Sequence, residues 1–189
     1  MTIRPAEVSQ ESVEAVREHL SAVATRPEFP ERALTESAPR GVSLSAAHEV
    51  YSAGVDELAA GRGLAIATPV ARGFLVMDGS NAVATVEQDT EGGGVSSTEG
   101  PFADATAKAI ERAEEDPQLA DGDYELRALR VPGLYLMAVW LKDLNGDGDV
   151  VIPLDPAPAP LEAGRSYRLH ELEPELASMS RERLSFEDV

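Results

Sequence analysis

The spacing of the apolar residues restricts the fold of this 189-residue chain more than any other feature of its sequence. Helical spacing predicts helices over residues 9–25, 102–115 and 174–184, and short apolar runs between turn residues predict strands. The elements follow one another as helix, strands, helix, strands, helix. This order predicts an α+β fold, an antiparallel sheet of short strands with helices on one face and an N-terminal helical arm.

The first predicted helix is set apart from the rest of the chain. Ser9 suits its N-cap, and Pro27 and Pro30 follow it, where proline disfavours helix. We therefore predict three parts: an N-terminal helix with a proline-containing linker over 1–41, an α+β core over 42–160, and a C-terminal helix with a polar tail over 161–189.

Turn residues divide the predicted core into strands. Asp78-Gly79-Ser80-Asn81 stands between apolar runs and predicts a hairpin. Strands are also predicted over 64–68, 124–130, 134–142 and 149–154. Residues 46–60 fit a helix only loosely, because Gly54 interrupts the pattern.

The net charge restricts the partners of the protein. The chain has 34 acidic and 16 basic residues, which gives a formal charge of −18. Binding to nucleic acid or anionic lipid depends on Lys and Arg, so neither partner is expected. A basic protein partner, a cation or adaptation to high salt is compatible with this charge. Only Lys108 and Lys142 are lysines, which is typical of a GC-rich genome.

Several chemical classes are absent from the sequence. The chain has no cysteine, which excludes a disulfide framework, a thiolate zinc site and a cysteine nucleophile. The first residues lack the pattern of a signal peptide. The longest apolar run, 134–141, is shorter than the roughly 20 residues of a membrane span. We expect a cytoplasmic protein that is not membrane-bound.

The strongest local motif is Asp143-Leu-Asn145-Gly-Asp147-Gly-Asp149. Alternate oxygen-bearing side chains followed by glycine are typical of calcium loops. The motif resembles the first half of an EF-hand loop and the loops of integrin-type propeller blades. The resemblance implies Ca²⁺ ligation by Asp143, Asn145, Asp147 and Asp149. Position 12 of an EF-hand, normally Glu, is Leu154 here.

The same seven residues also have a purely structural interpretation. Asn145-Gly146 and Asp147-Gly148 are residue pairs that tight hairpin turns use for positive φ, and apolar runs flank them on both sides. A plain acidic turn between two strands is the interpretation we favour, with calcium binding as the alternative.

Catalytic residues are few. His48, close to Glu49, Tyr51 and Asp56, is the one histidine that suits acid–base chemistry. No serine stands in a G-x-S-x-G motif. The leading hypothesis is therefore a non-catalytic acidic protein, such as an adaptor, inhibitor or immunity-type protein, that acts by protein–protein interaction. A calcium-binding module is the second hypothesis, and a hydrolase built around His48 or a carboxylate pair is the third.

Overall fold

The computed structural model describes residues 1–25, 32–37, 41–90 and 93–186. These residues form five α-helices and nine strands. The helices are α1 Gln10–Ala24, α2 Arg32–Ser37, α3 Val55–Ala59, α4 Pro101–Glu115 and α5 Leu169–Ser185. The strands are β1 Thr2–Arg4, β2 Ser43–Ser52, β3 Thr68–Asp78, β4 Asn81–Asp89, β5 Val95–Glu99, β6 Asp123–Val131, β7 Leu136–Asp143, β8 Val150–Pro153 and β9 Tyr167–Arg168.

One mostly antiparallel sheet runs through all the described strands. Its order is β5-β4-β3-β2-β6-β7-β8-β9, and β1 also pairs with β6. The β1–β6 and β2–β6 pairs are parallel and the others are antiparallel. The predicted α+β class and antiparallel sheet are confirmed.

Side-chain alternation separates two faces of the sheet. On the face that we call the α1 face, α1 packs over β3 and β4, and α3 and α5 pack over β6, β7 and β8. On the opposite face, the α4 face, α4 crosses from β4 to β7. The predicted placement on one face therefore describes α1, α3 and α5, while α4 lies on the other face. The pairing of strands that are distant in sequence decides which face α4 covers. A short stretch of sequence therefore cannot predict it.

The predicted N-terminal helix forms as α1. The Ser9 side chain accepts a hydrogen bond from the Ser12 backbone N–H at 3.1 Å, which caps the helix. Val16, Leu20 and Val23 are buried in a cluster with β3 and β4. The helix predicted as an arm thus packs its apolar face onto the sheet.

The other predicted elements differ mainly at their boundaries. The 78–81 hairpin, the helix predicted over 102–115 and the strands of the 123–153 region are confirmed, and the helix begins one residue earlier, at Pro101. Residues 46–60 divide into β2 and α3, and 63–66 form a 3₁₀ turn before β3. Helix α5 begins at Leu169 instead of near Pro174 because Leu172 and Leu176 are fully buried on either side of the proline.

The linker prolines Pro27, Pro30 and Pro39 lie outside the described residues. Among the described helices, none has a long enough apolar stretch to cross a bilayer.

The packing of α1 generates the first prediction. Leu20 is 8 % exposed, so Leu20→Ala removes buried methyl groups and leaves a cavity. We expect a loss of about 2–4 kcal/mol in the free energy of unfolding, measured by urea denaturation. As a control, Ser21→Ala on the exposed side of α1 should change the free energy by less than about 0.5 kcal/mol. Equally small effects from both variants would mean that the packing of α1 on the sheet does not stabilise the protein.

Candidate functional sites

The acidic turn is organised around one buried carboxylate. Asp149 is 1 % exposed, and its Oδ2 accepts a hydrogen bond from Trp140 Nε1 at 2.9 Å. Its Oδ1 accepts from Lys142 Nζ and from the Asp143 backbone N–H, both at 3.0 Å. The Asp149 carboxylate therefore joins the end of β7 to the start of β8, and Lys142 neutralises its charge.

Asp143 organises the turn from its other end. Its Oδ1 accepts from the Asn145 backbone N–H at 2.9 Å, and its Oδ2 accepts from the Gly148 backbone N–H at 3.0 Å. Asn145 and Asp147 are exposed. A side chain that accepts backbone hydrogen bonds two and five residues ahead replaces the missing hydrogen bonds of a tight turn.

The four predicted calcium ligands thus differ in their surroundings. The oxygens of Asp143 and Asp149 accept hydrogen bonds within the turn, whereas Asn145 and Asp147 point outward. Within the described residues, no three His, Cys, Asp or Glu side chains are grouped so as to hold a metal ion. Calcium binding stays a prediction. It requires Asp143 and Asp149 to give up hydrogen bonds within the turn so that their oxygens can bind the ion.

His48 lies on the α4 face and is fixed by an irregularity in β2. Ser45 pairs with Leu75 and His48 pairs with Gly73, so two residues of β2, Ala46 and Ala47, stand opposite one residue of β3. Ala46 has a φ of +48°, and its carbonyl accepts a hydrogen bond from His48 Nδ1 at 2.7 Å. Because a carbonyl only accepts, the proton of the neutral ring is on Nδ1.

The His48 ring faces a small cavity below α4 whose lining is mostly apolar. The cavity has a volume of about 20 Å³ and is lined in part by Thr85, Glu87, Thr106 and Arg130. Glu87 and Arg130 form an ion pair. Burial lowers the pKa of His48, and the Arg130 charge lowers it further, whereas the Ala46 carbonyl and the Glu87 carboxylate raise it.

The size of this cavity limits what His48 can do. A volume of about 20 Å³ accommodates one water molecule. A larger substrate would reach Nε2 only if α4 moved away from the sheet. The predicted catalytic role of His48 therefore depends on an opening of α4, and it stays a prediction.

A row of charged side chains crosses the α1 face between α1 and α5. Arg72 pairs across the sheet with Glu49, and Glu49 pairs with Arg127. The Arg127 guanidinium lies 4.6 Å from the Tyr51 ring centre and 5.1 Å from the Trp140 ring centre. We call these five residues the central strip.

The strip is in contact with solvent and with α1. The side chains of Arg72, Glu49 and Arg127 are 29 %, 32 % and 18 % exposed. Arg72 Nη1 also donates to the Ser12 hydroxyl of α1 at 3.3 Å. Arginine and aromatic residues with this partial exposure are typical of protein interfaces.

The outer side of α1 carries a row of negative charge. Glu11, Glu14 and Glu18 are spaced by three and four residues and lie opposite the buried Val16 and Leu20. Among the described residues, none of the three glutamates forms an ion pair. We call these three residues the α1 ridge.

Neither the strip nor the ridge was predicted from the sequence. The ridge is visible in the sequence as the polar complement of the apolar stripe of α1. The signal for the strip is weaker. Polar or aromatic residues stand two positions apart in each strand, Glu49 and Tyr51 in one and Glu125 and Arg127 in the other. Residues 49 and 127 become neighbours only through the β2–β6 pairing.

Comparisons of the chain with protein-family models, with curated proteins and with solved structures found no match.

The acidic turn gives a prediction about stability. Asp149→Ala leaves the buried Trp140 N–H and the Asp143 N–H without an acceptor. We expect a loss of about 3 kcal/mol, measured by urea denaturation in the presence of a chelator. As a control, Asp147→Ala removes an exposed carboxylate of the same motif and should change stability by less than about 0.5 kcal/mol. Equal losses from both variants would contradict this account of the turn.

His48 gives a prediction about pH. The lowered pKa means that the His48 ring takes up its second proton less readily in the folded protein than in the unfolded chain, where the pKa of a histidine is about 6.5. Below about pH 6.5 the unfolded state therefore gains protons first, and His48 destabilises the fold by up to about 1.4 kcal/mol per pH unit. This loss continues until the pH reaches the pKa of the folded state.

The test of this effect compares the wild type with His48→Asn, in which an amide replaces the ring as the donor toward Ala46. The urea midpoint of the variant should fall less between pH 7 and pH 5, because it lacks the titrating ring. The carboxylates contribute equally to both proteins, so the difference isolates His48. An identical pH dependence in the two proteins would contradict a lowered pKa.

Proposed function

We propose that the protein acts without catalysis, by binding a basic protein partner through the α1 ridge. The observation that carries this proposal is the row formed by Glu11, Glu14 and Glu18, which has no cationic neighbour paired with it among the described residues. Like charges at these spacings destabilise a helix by about 0.2–0.5 kcal/mol per pair. A cationic partner surface would relieve this repulsion.

The apolar side of α1 is occupied by the sheet, where Val16 and Leu20 are buried. The helix therefore offers a partner its acidic side and not an apolar side. The central strip adjoins α1 through Arg72 and Ser12, and its Tyr51 and Arg127 are residue types that contribute strongly to interfaces. We propose that the ridge attracts the partner and that the strip supplies closer contacts.

The net charge of −18 supports the same proposal. A strongly negative protein accelerates its encounter with a basic protein and repels nucleic acid and anionic lipid. The absence of nucleic-acid binding and the cytoplasmic location expected from the sequence are parts of the proposal. Calcium binding by Asp143, Asn145, Asp147 and Asp149 and hydrolysis at His48 are the alternatives.

The experiment compares two triple variants with the same change of net charge. In the first, Glu11→Gln, Glu14→Gln and Glu18→Gln neutralise the ridge. In the second, Glu111→Gln, Glu114→Gln and Glu115→Gln neutralise exposed residues of α4 on the other side of the sheet. Each immobilised protein captures partners from native lysate at low salt, and mass spectrometry quantifies what is retained.

The expected result is a basic protein that the wild type and the α4 variant retain and that the ridge variant loses. Its retention should fall as salt is added, because the contact is electrostatic. Equal loss from both triple variants would mean that net charge alone is recognised, which contradicts the role of the ridge. A wild type that retains no basic protein would contradict the proposal itself.

A further inference from the structure

A long groove lies on the α4 face, at the end of the sheet formed by β9. It consists of two adjoining clefts of about 350 and 610 Å³ between α4 and the segment that precedes α5. Arg112 and Gly164 line both clefts, so the two meet at these residues. The groove is far larger than the cavity at His48, and small-molecule sites are commonly of this size.

Three arginines line the groove, and each is held by an uncharged group. The Arg112 guanidinium lies against Gly164, where a Cβ would overlap its Nη1. The Arg165 guanidinium lies 4.7 Å from the ring centre of Tyr167. Arg168 Nη1 donates a hydrogen bond to the Gly148 carbonyl. These contacts position the three guanidinium groups, and of the three Arg165 also forms an ion pair, with Glu162.

Five acidic residues line the two clefts as well: Asp104, Glu115, Asp116, Asp155 and Glu171. Asp104 forms an ion pair with Lys108 at 2.6 Å. Asp116 accepts a hydrogen bond from the Gln118 backbone N–H at 2.9 Å, and Glu171 accepts one from the Arg168 backbone N–H at 3.3 Å. Arg165 has an exposed partner, Glu162, at 3.2 Å, and an exposed pair of this kind contributes little.

Arg112 stands out among these cations. Within the part of the chain that is described, its guanidinium forms no ion pair and no hydrogen bond, although the chain as a whole carries an excess of 18 negative charges. Gly164 has a φ of +76°, a conformation that glycine adopts without strain. The missing side chain at Gly164 thus makes the room in which the Arg112 guanidinium sits.

We propose that this groove binds a small anionic molecule through an oxyanion group, with Arg112 at the centre of the site and Arg165 and Arg168 beside it. The planar fork of a guanidinium matches the oxygens of a phosphate or a carboxylate, which is why arginine recognises both. The site lies on the opposite face of the sheet from the α1 ridge, and its arginines stand among carboxylates that line the same groove. It therefore does not depend on the proposed protein partner.

The experiment uses the full chain and titrates pyrophosphate and citrate separately by calorimetry at low ionic strength. We expect the wild type to bind at least one of them, and the preferred probe identifies the ligand as phosphate-bearing or carboxylate-bearing. Arg112→Gln should weaken binding by about 10- to 100-fold, the usual effect of losing a charged hydrogen-bond partner. Arg17→Gln on α1, with the same change of net charge, should leave the affinity unchanged.

A second variant separates position from charge. Gly164→Ala keeps every charge but places a Cβ where the Arg112 guanidinium lies, so it should also weaken binding. The melting temperature of this variant without ligand shows whether its fold is retained. If Gly164→Ala does not fold, the comparison of Arg112→Gln with Arg17→Gln decides the test. The proposal is overturned if the wild type binds neither anion, or if Arg17→Gln weakens binding as much as Arg112→Gln.

Discussion

The parallel pairing of β2 with β6 holds the two halves of the sheet together. Only four residue pairs make this connection, from Glu49 opposite Arg127 to Ser52 opposite Arg130. On one side of it lie β3, β4 and β5, and on the other lie β7, β8 and β9. Because strand side chains alternate between faces, this single register decides which residues can meet. It places Glu49 beside Arg127 in the central strip and puts His48 on the same face as Arg130.

The negative charge of the chain is distributed according to this architecture. Among the described residues, Asp149 is the one carboxylate that is almost fully buried, and three hydrogen bonds, one of them from Lys142, compensate for its burial. The glutamates of α1 are instead exposed, where water and salt screen them. The arginines Arg112, Arg165 and Arg168 converge on one groove. A protein with a formal charge of −18 thus has regions of quite different local charge.

Local signals predicted much of the fold. The Ser9 cap and the 78–81 turn each act within a few residues, and both predictions are confirmed. The face that α4 covers was not predictable in this way, since it depends on pairings between distant strands. The same reason explains why the central strip and the Arg112 groove had no clear signal. The acidic turn was recognised as a feature, but the different roles of Asp149 and Asp147 depend on Trp140 and Lys142 in the neighbouring strand.

The bulge at Ala46 and Ala47 has a consequence for the whole of β2. Without it, strict alternation would put Leu44 and Glu49 on opposite faces, since their positions in the chain differ by five, an odd number. With the extra residue, Leu44 packs beneath α1 while Glu49 remains in the strip on that same face. One strand can in this way serve an apolar core at one end and a charged surface at the other. Deleting a single alanine here would exchange the inside and the outside of the strand's first half.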